Sequence, residues 1–209
     1  MYLFARTRTA APGRIVEATA FAADIAAKAS SITGVEVSTW QVQFGAPLGT
    51  FIWTATVEQT ADMATAGDKL VADNGYLEAI LAADHLFDGH VEDAIAEIVG
   101  TAGDGGHRGE YATSVMAQCN AGHIGDAMAF GLEMMELVHG ATGRDGLFTR
   151  GMYGPWATVA WFTLADTAAQ IDEGNAALAA NPDYLTKVDA SADLFAPGSG
   201  HGRLSRRIA

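Results

Sequence analysis

Asp84, His85 and His90 lie close together in the chain and straddle Phe87-Asp88-Gly89. A carboxylate that converges on an imidazole makes an acid–base pair, because histidine titrates near neutrality. On an exposed turn the same His85 would simply titrate in solvent. Asn120 and His123 form Asn-x-x-His at the start of a helix, where they could meet a ligand at a strand end; ordinary helix-start residues explain them equally. Trp40, Arg150 and Tyr153 sit on or beside two hairpins. In a cleft, the guanidinium would take the charge of an anionic aromatic molecule and the rings its face. An Arg on an exposed strand face accounts for Arg150 as well. Met116, Met128, Met134, Met135 and Met152 suit either an adaptable pocket or core filling. Cys119 has no basic neighbour in sequence to lower its pKa and reads as an inert buried thiol. His139 closes a helix, where the dipole favours a cation. His107 and His201 lie in glycine-rich stretches and read as exposed. No histidine pair has a metal-ligand spacing, so no metal is expected. There is no nucleophile elbow, and Gly103-Asp-Gly-Gly is not placed to cradle phosphate.

These residues are positioned by a chain that repeats itself. Under a shift of 108, Trp53 falls on Trp161, Leu70 on Leu178, Tyr76-Leu77 on Tyr184-Leu185, and Leu86-Phe87 on Leu194-Phe195. Nearer the start the shift is 109, which places Gly13, Ile15, Ala18 and Phe21 on Gly122, Ile124, Ala127 and Phe130. The second hairpin turn is therefore one residue shorter. Length changes confined to turns are the mark of a structural repeat. Trp40 and Tyr153 are unmatched in type, standing opposite Thr149 and Phe44, and Arg150 stands opposite Gln41. Such positions are where one half can specialise. Trp53 and Trp161 are mates; symmetric packing explains them, and they are also placed to line a ligand pocket.

Each half reads β-α-β-β-α-β. In the first, strand 1–9 precedes an Ala-rich helix, 13–32, opened by Pro12 and ended by Gly34. Strands 35–44 and 50–57 make a hairpin around Gly45-Ala-Pro-Leu-Gly49. A helix capped by Thr60 runs to Asp73, helical turns follow over 76–85, and strand 93–99 ends the half. Residues 101–109, Thr-Ala-Gly-Asp-Gly-Gly-His-Arg-Gly, read as a flexible linker. The second half, 110–209, replays the order: strand 111–119, helix 122–139, strands 147–153 and 157–164, a helix capped at Asp166 or Thr167, a short helix after Asn181-Pro182, and strand 203–208. The order is that of the ferredoxin-like split βαβ, an antiparallel sheet with helices on one face. Two copies can bury their bare faces together. The expected fold is α+β: tandem ferredoxin-like repeats, 1–100 and 110–209, forming an intramolecular pseudo-dimeric α/β barrel.

Composition narrows the function. Hydrophobic residues make up 49% of the 209, which fits a packed globular chain and excludes disorder. Net charge is −13, with 25 acids against 12 bases, so a nucleic-acid partner and an anionic membrane surface are disfavoured. No apolar run approaches the ~18 residues of a membrane span, and none near Met1 reads as a signal peptide. With one cysteine no internal disulfide can form. The reading is a soluble, cytoplasmic protein, with homo-oligomerisation left open. Arg203, Arg206 and Arg207 near the end read as a charge-paired strand, or as a local anion contact.

The order of elements resembles the dimeric α/β-barrel superfamily with both halves in one chain. The stretch Asp183-Tyr-Leu-Thr-Lys-Val-Asp-Ala-Ser-Ala-Asp-Leu-Phe-Ala-Pro-Gly-Ser199, running into Arg203-Leu-Ser-Arg-Arg-Ile, is similar to the end of NIPSNAP-like members; Tyr76–Phe87 is its weaker copy. That superfamily includes cofactor-independent monooxygenases, haem-degrading enzymes, isomerases and proteins without known activity, so the fold alone leaves function open. The resemblance implies a protein that binds a small apolar or aromatic molecule between sheet and helices. If it is an enzyme, the implied reaction is cofactor-independent oxygenation of an aromatic substrate. His85 and Tyr153 are then the candidate catalytic residues, His85 moving a proton. Trp40, Arg150, Trp53 and Trp161 are the candidate ligand contacts. The alternatives are a haem-binding protein of the same fold, with His85, His123 or His139 as axial ligand, and a non-enzymatic assembly module.

Overall fold

The computed structural model describes residues 1–104 and 109–209. His107 and part of the expected linker therefore lie outside the described residues. Among the described residues the chain is a mixed α/β fold of eight strands and six α-helices. It separates into two compact units, Met1–Ile95 with Ser205–Ala209, and Ala96–Leu204.

Unit 1 contains β1 (Tyr2–Thr9), α1 (Ile15–Thr33), β2 (Val37–Phe44), β3 (Thr50–Val57), α2 (Thr60–Ala72), α3 (Asn74–Ala82) and a 3-10 turn, Asp84–Leu86. Strand β4 (Glu92–Ala102) begins in unit 1 and ends in unit 2. Strand β3 pairs antiparallel with β1, from Tyr2↔Val57 to Thr9↔Thr50, and with β2, from Val37↔Ala55 to Gln41↔Phe51. The chain's last residues add to the free edge of β2, where Thr39 N–H donates to the Ala209 carbonyl (2.8 Å).

Helix α1 buries Ala18, Ala22, Ile25, Ala26 and Ala29, a stripe at three- and four-residue steps. Alanine there lets the helix axis approach the sheet. The approach is fixed by Trp53, whose indole Nε1–H donates to the Ala22 carbonyl (3.0 Å), and by Thr39 Oγ1–H, which donates to the same oxygen (3.3 Å). Phe51 and Phe87 pack on the indole and Phe21 on Phe87, with Phe87 edge-on to the other three rings.

Unit 2 contains β5 (Tyr111–Gln118), α4 (Ile124–Thr142), β6 (Gly146–Tyr153), β7 (Thr158–Ala165), α5 (Ala168–Ala179), α6 (Pro182–Ala190) and the start of β8 (His201–Arg207). Strand β7 pairs antiparallel with β5 and with β6. Trp161 Nε1–H donates to the Gly131 carbonyl of α4 (2.9 Å), as Trp53 does to α1. Phe130, Phe148 and Phe195 surround that indole. One detail differs. Thr39 has become Phe148, whose ring occupies the space of a missing side chain: a Cβ on Gly131 would lie 2.0 Å from Phe148 Cζ.

Element order follows the sequence reading, and the differences are local. Pro12 precedes the first helical turn rather than lying in it, because the chain first makes a turn through Gly13 at φ +79°. The cap of α2 is Gln59, not Thr60; its N–H donates to Asp62 Oδ2 (3.0 Å). Thr167, rather than Asp166, caps α5 and accepts from Gln170 N–H (3.3 Å). Strand β4 runs on through Ala102, into the stretch read as linker. Helix α4 passes Gly140 and stops at Gly143, which holds the left-handed conformation at φ +68° as Gly34 does after α1.

Gly131→Ala is expected to destabilise the protein by about 1–3 kcal/mol, the usual penalty for overpacking a filled core. Combined with Phe148→Thr, which rebuilds the unit 1 arrangement, the loss should be smaller than the sum of the two single losses. Urea denaturation of the four proteins of the cycle measures this.

Candidate functional site

The six residues singled out from the sequence fall in different settings. In unit 1, Trp53 and Trp40 lie on adjacent strands but on opposite faces of the sheet. Trp53 faces α1 and is buried in the aromatic core. Trp40 Nε1–H donates to Thr54 Oγ1 (3.0 Å), and successive residues of β3 point to opposite faces, so Trp40 lies on the face away from α1. The guanidinium of Arg207 stacks on Trp40, 4.6 Å from the ring centroid, and reaches Ser38 Oγ. His85 sits exposed in the 3-10 turn with Nδ1 2.9 Å from the Ala82 carbonyl. The expected convergence of Asp84, His85 and His90 does not occur. Asp84 pairs with Arg8 of β1 and His90 Nε2 contacts Glu92, so each side chain is taken by a different partner.

In unit 2, Trp161 is held by α4 in the manner already described. Arg150 pairs with Glu97 of β4. Tyr153, at the end of β6, is 63% exposed, and Trp156 in the following turn is 75% exposed. Asn120 and His123 do not present a joint ligand site. The Asn120 amide donates to the Asp193 and Phe195 carbonyls (2.9 and 3.1 Å) and so ties the returning chain to the start of α4. His123 stands beside Asp126 at the helix start. Met134 and Met135 are buried core residues. His139 Nδ1–H reaches the Arg144 carbonyl (2.9 Å). Cys119 is buried, and burial pushes its thiol pKa up. Among the described residues no three of His, Cys, Asp and Glu are grouped to hold a metal ion. None of the helices among them is long and apolar enough to cross a membrane.

A cavity of about 420 Å³ lies in unit 2, where the end of α4 and the loop after it face the end of β7 and α5. Its wall includes Thr142, Arg144, Asp145, Gln170, Glu173 and Gly174. Arg144 is only 8% exposed. Its Nε and Nη1 are buried without a hydrogen-bond partner, and burial lowers its pKa. The residue is anchored through its backbone: its N–H donates to Thr142 Oγ1 (3.2 Å) and its carbonyl accepts from His139. A cavity of this size is in the range that encloses small ligands. Sequence reading missed it. The available signal was a repeat mismatch, Arg144 standing opposite Val35 at the 109 shift.

No protein-family model matches the sequence, and no curated protein matches it. Solved structures match over the whole chain. A candidate monooxygenase from Fusobacterium nucleatum aligns with all of this chain and 92% of its own, at TM-score 0.74 and 7% identity. An anthrone oxidase-like protein aligns with all of this chain and 91% of its own, at 0.69 and 10%. A candidate monooxygenase from Lactobacillus acidophilus aligns with all of this chain and 94% of its own, at 0.68 and 9%. The chain therefore has the dimeric α/β-barrel fold. At these identities the likeness establishes fold and not activity.

Cys119 is expected to react with a maleimide far more slowly in the folded protein than in urea, since the thiolate is the nucleophile and burial disfavours it. Mass spectrometry of timed aliquots measures both rates; equal rates would show that the thiol is accessible in the folded chain.

Proposed function

We propose that this chain is a small-molecule-binding protein built from two ferredoxin-like repeats, residues 1–100 and 110–209, joined by the glycine-rich segment 101–109. The observation that carries the reading is the unit 2 cavity: a partly open space of about 420 Å³ with a buried guanidinium in its wall. None of His85, Tyr153, Trp40, Arg150, Trp53 and Trp161, the residues singled out from the sequence, lines it. The ligand is a small aromatic or largely apolar molecule with a polar group.

The activity we assign is oxidation of an electron-rich aromatic by dioxygen without a cofactor, which is supported by the whole-chain likeness to proteins described as monooxygenases and as anthrone oxidase-like. For anthrone the balance is one anthrone and one dioxygen giving one anthraquinone and one water. The ring methylene loses two hydrogens and gains one oxygen atom, and the second oxygen leaves as water. The first step is removal of a proton to make an electron-rich carbanion. His85 is the proposed acceptor: with Nδ1–H held by the Ala82 carbonyl, Nε2 carries the free lone pair. Tyr153 and Arg150 within unit 2, and Trp40 separately within unit 1, are the residues proposed to contact an aromatic. Trp53 and Trp161 serve the packing of sheet on helix.

The test is oxygen uptake by the purified protein with anthrone, followed by absorbance of the quinone. The expected result is one dioxygen consumed per quinone formed, at a rate well above the spontaneous one, and a loss of about 10²-fold or more in His85→Gln. A rate equal to the protein-free control sinks the oxidase reading. A Soret band in the protein as purified would favour the haem-binding alternative.

A further inference from the structure

We propose that Arg144 is the anion-holding residue of the unit 2 cavity and that its ligand is a small organic monocarboxylate. This rests on the reading that the cavity is a ligand site, and it names the class of ligand.

Two nitrogens of a buried guanidinium have no partner. Arg144 lines the cavity, is more than nine-tenths buried, and leaves the donors of Nε and Nη1 unused. Buried donors without acceptors are destabilising, and for a charged group severely so. A structural explanation would be that Arg144 caps the C-terminus of α4. Unit 1 shows what such a cap looks like. There Lys69 Nζ donates to the Thr33 carbonyl at the end of α1 (2.9 Å). Under the repeat shifts, Thr33 corresponds to Thr142, and Lys69 to Ala177. Unit 2 has alanine at that position, and Nε and Nη1 of Arg144 bond no carbonyl of α4.

Three changes have occurred together. Val35 has become Arg144, Ala66 has become Gly174, and Lys69 has become Ala177. Each has a consequence in space. The guanidinium lies against α5, and a Cβ on Gly174 would be 2.9 Å from Arg144 Cζ and 3.0 Å from Nε and Nη2. A residue as small as alanine, which unit 1 buries at Ala66, would force the guanidinium aside. Ala177 lines the cavity where a lysine would project. Unit 2 is thus shaped to admit the guanidinium and to keep the space beside it open.

An oxyanion in that space would accept from the unused donors, and such charge-assisted bonds are the strong ones. The rest of the wall sets the charge of the guest. The lining also includes three acidic residues, Asp145, Asp166 and Glu173, and the amide residue Gln170. A dianion such as phosphate would meet these carboxylates with its second charge. A monocarboxylate presents one charge to Arg144 and a neutral remainder to the rest of the cavity.

The experiment is isothermal titration and thermal denaturation of the full chain with sodium benzoate, benzamide and inorganic phosphate, each at matched ionic strength. We expect saturable binding of benzoate with one site per chain, and binding at least tenfold weaker for benzamide and for phosphate. Arg144→Gln should lose at least tenfold in benzoate affinity while its ligand-free melting temperature equals or exceeds that of the parent. Ala177→Leu, which keeps the charge and fills the space, should lose benzoate binding as well. Equal binding of benzoate and benzamide, unchanged in Arg144→Gln, would leave the cavity as a ligand site and overturn the carboxylate assignment. Tighter binding of phosphate than benzoate would overturn the monoanion class. No saturable binding of any probe would overturn the ligand-site reading itself. A ligand-free melting temperature that falls by several degrees in Arg144→Gln would make the residue structural.

Discussion

The arrangement of each unit depends on one contact: a tryptophan indole on the central strand that donates to a carbonyl inside the long helix. Trp53 reaches Ala22 and Trp161 reaches Gly131. A mid-helix carbonyl already accepts one backbone bond, so a second donor must arrive along its remaining lone pair. That requirement fixes the height, the rotation and the axial position of the helix over the sheet together. The alanine stripe of α1 follows from it, because a larger residue at the contact would lift the helix beyond the reach of the indole. So does the aromatic shell, since the indole must be buried except at its nitrogen.

Unit 2 keeps the contact while changing what surrounds it. Where unit 1 has Ala22 and Thr39, unit 2 has Gly131 and Phe148, so volume moves from the helix to the strand and the hydrogen bond survives. The same logic operates at the other end of the helix, with a different result. There the exchange of Val35, Ala66 and Lys69 for Arg144, Gly174 and Ala177 does not conserve filling. It leaves a cavity with a charged wall. Compensation that preserves packing marks a position under structural constraint. Compensation that opens space beside a desolvated charge requires another explanation.

Much of the fold was legible in the sequence because its signals are local or repeated. Gly34 and Gly143 each end a helix in the left-handed conformation, which few other residues adopt at ease. The 3.6-residue spacing of small apolar residues marked both long helices, and the Trp53–Trp161 correspondence marked the central strands. Boundaries moved where a side chain outside the local pattern decided them, as when Gln59 and Asp62 closed α2 one residue earlier. The functional reading was less legible, since it depended on which acceptor each donor would find. Asp84, His85 and His90 are neighbours in sequence, yet Arg8 from another strand takes the aspartate. Asn120 looked available and instead binds carbonyls some seventy positions away (73 and 75 residues).

Arg144 illustrates why such a site escapes a reading by residue type. An arginine after a helix-ending glycine is ordinary in sequence, and most such side chains extend into solvent with a hydrated guanidinium. What makes this one unusual is burial, and burial here is created by residues far along the chain, Gly174 above all. A glycine in mid-helix weakens the helix by roughly 1 kcal/mol relative to alanine. The desolvated guanidinium adds a further penalty of its own. A chain selected for stability alone would have kept alanine and valine, as the other unit did. Functional sites are where local departures from the stable arrangement are expected. Two such features in contact at the wall of the same cavity are more simply explained by one requirement, an anionic guest, than by two.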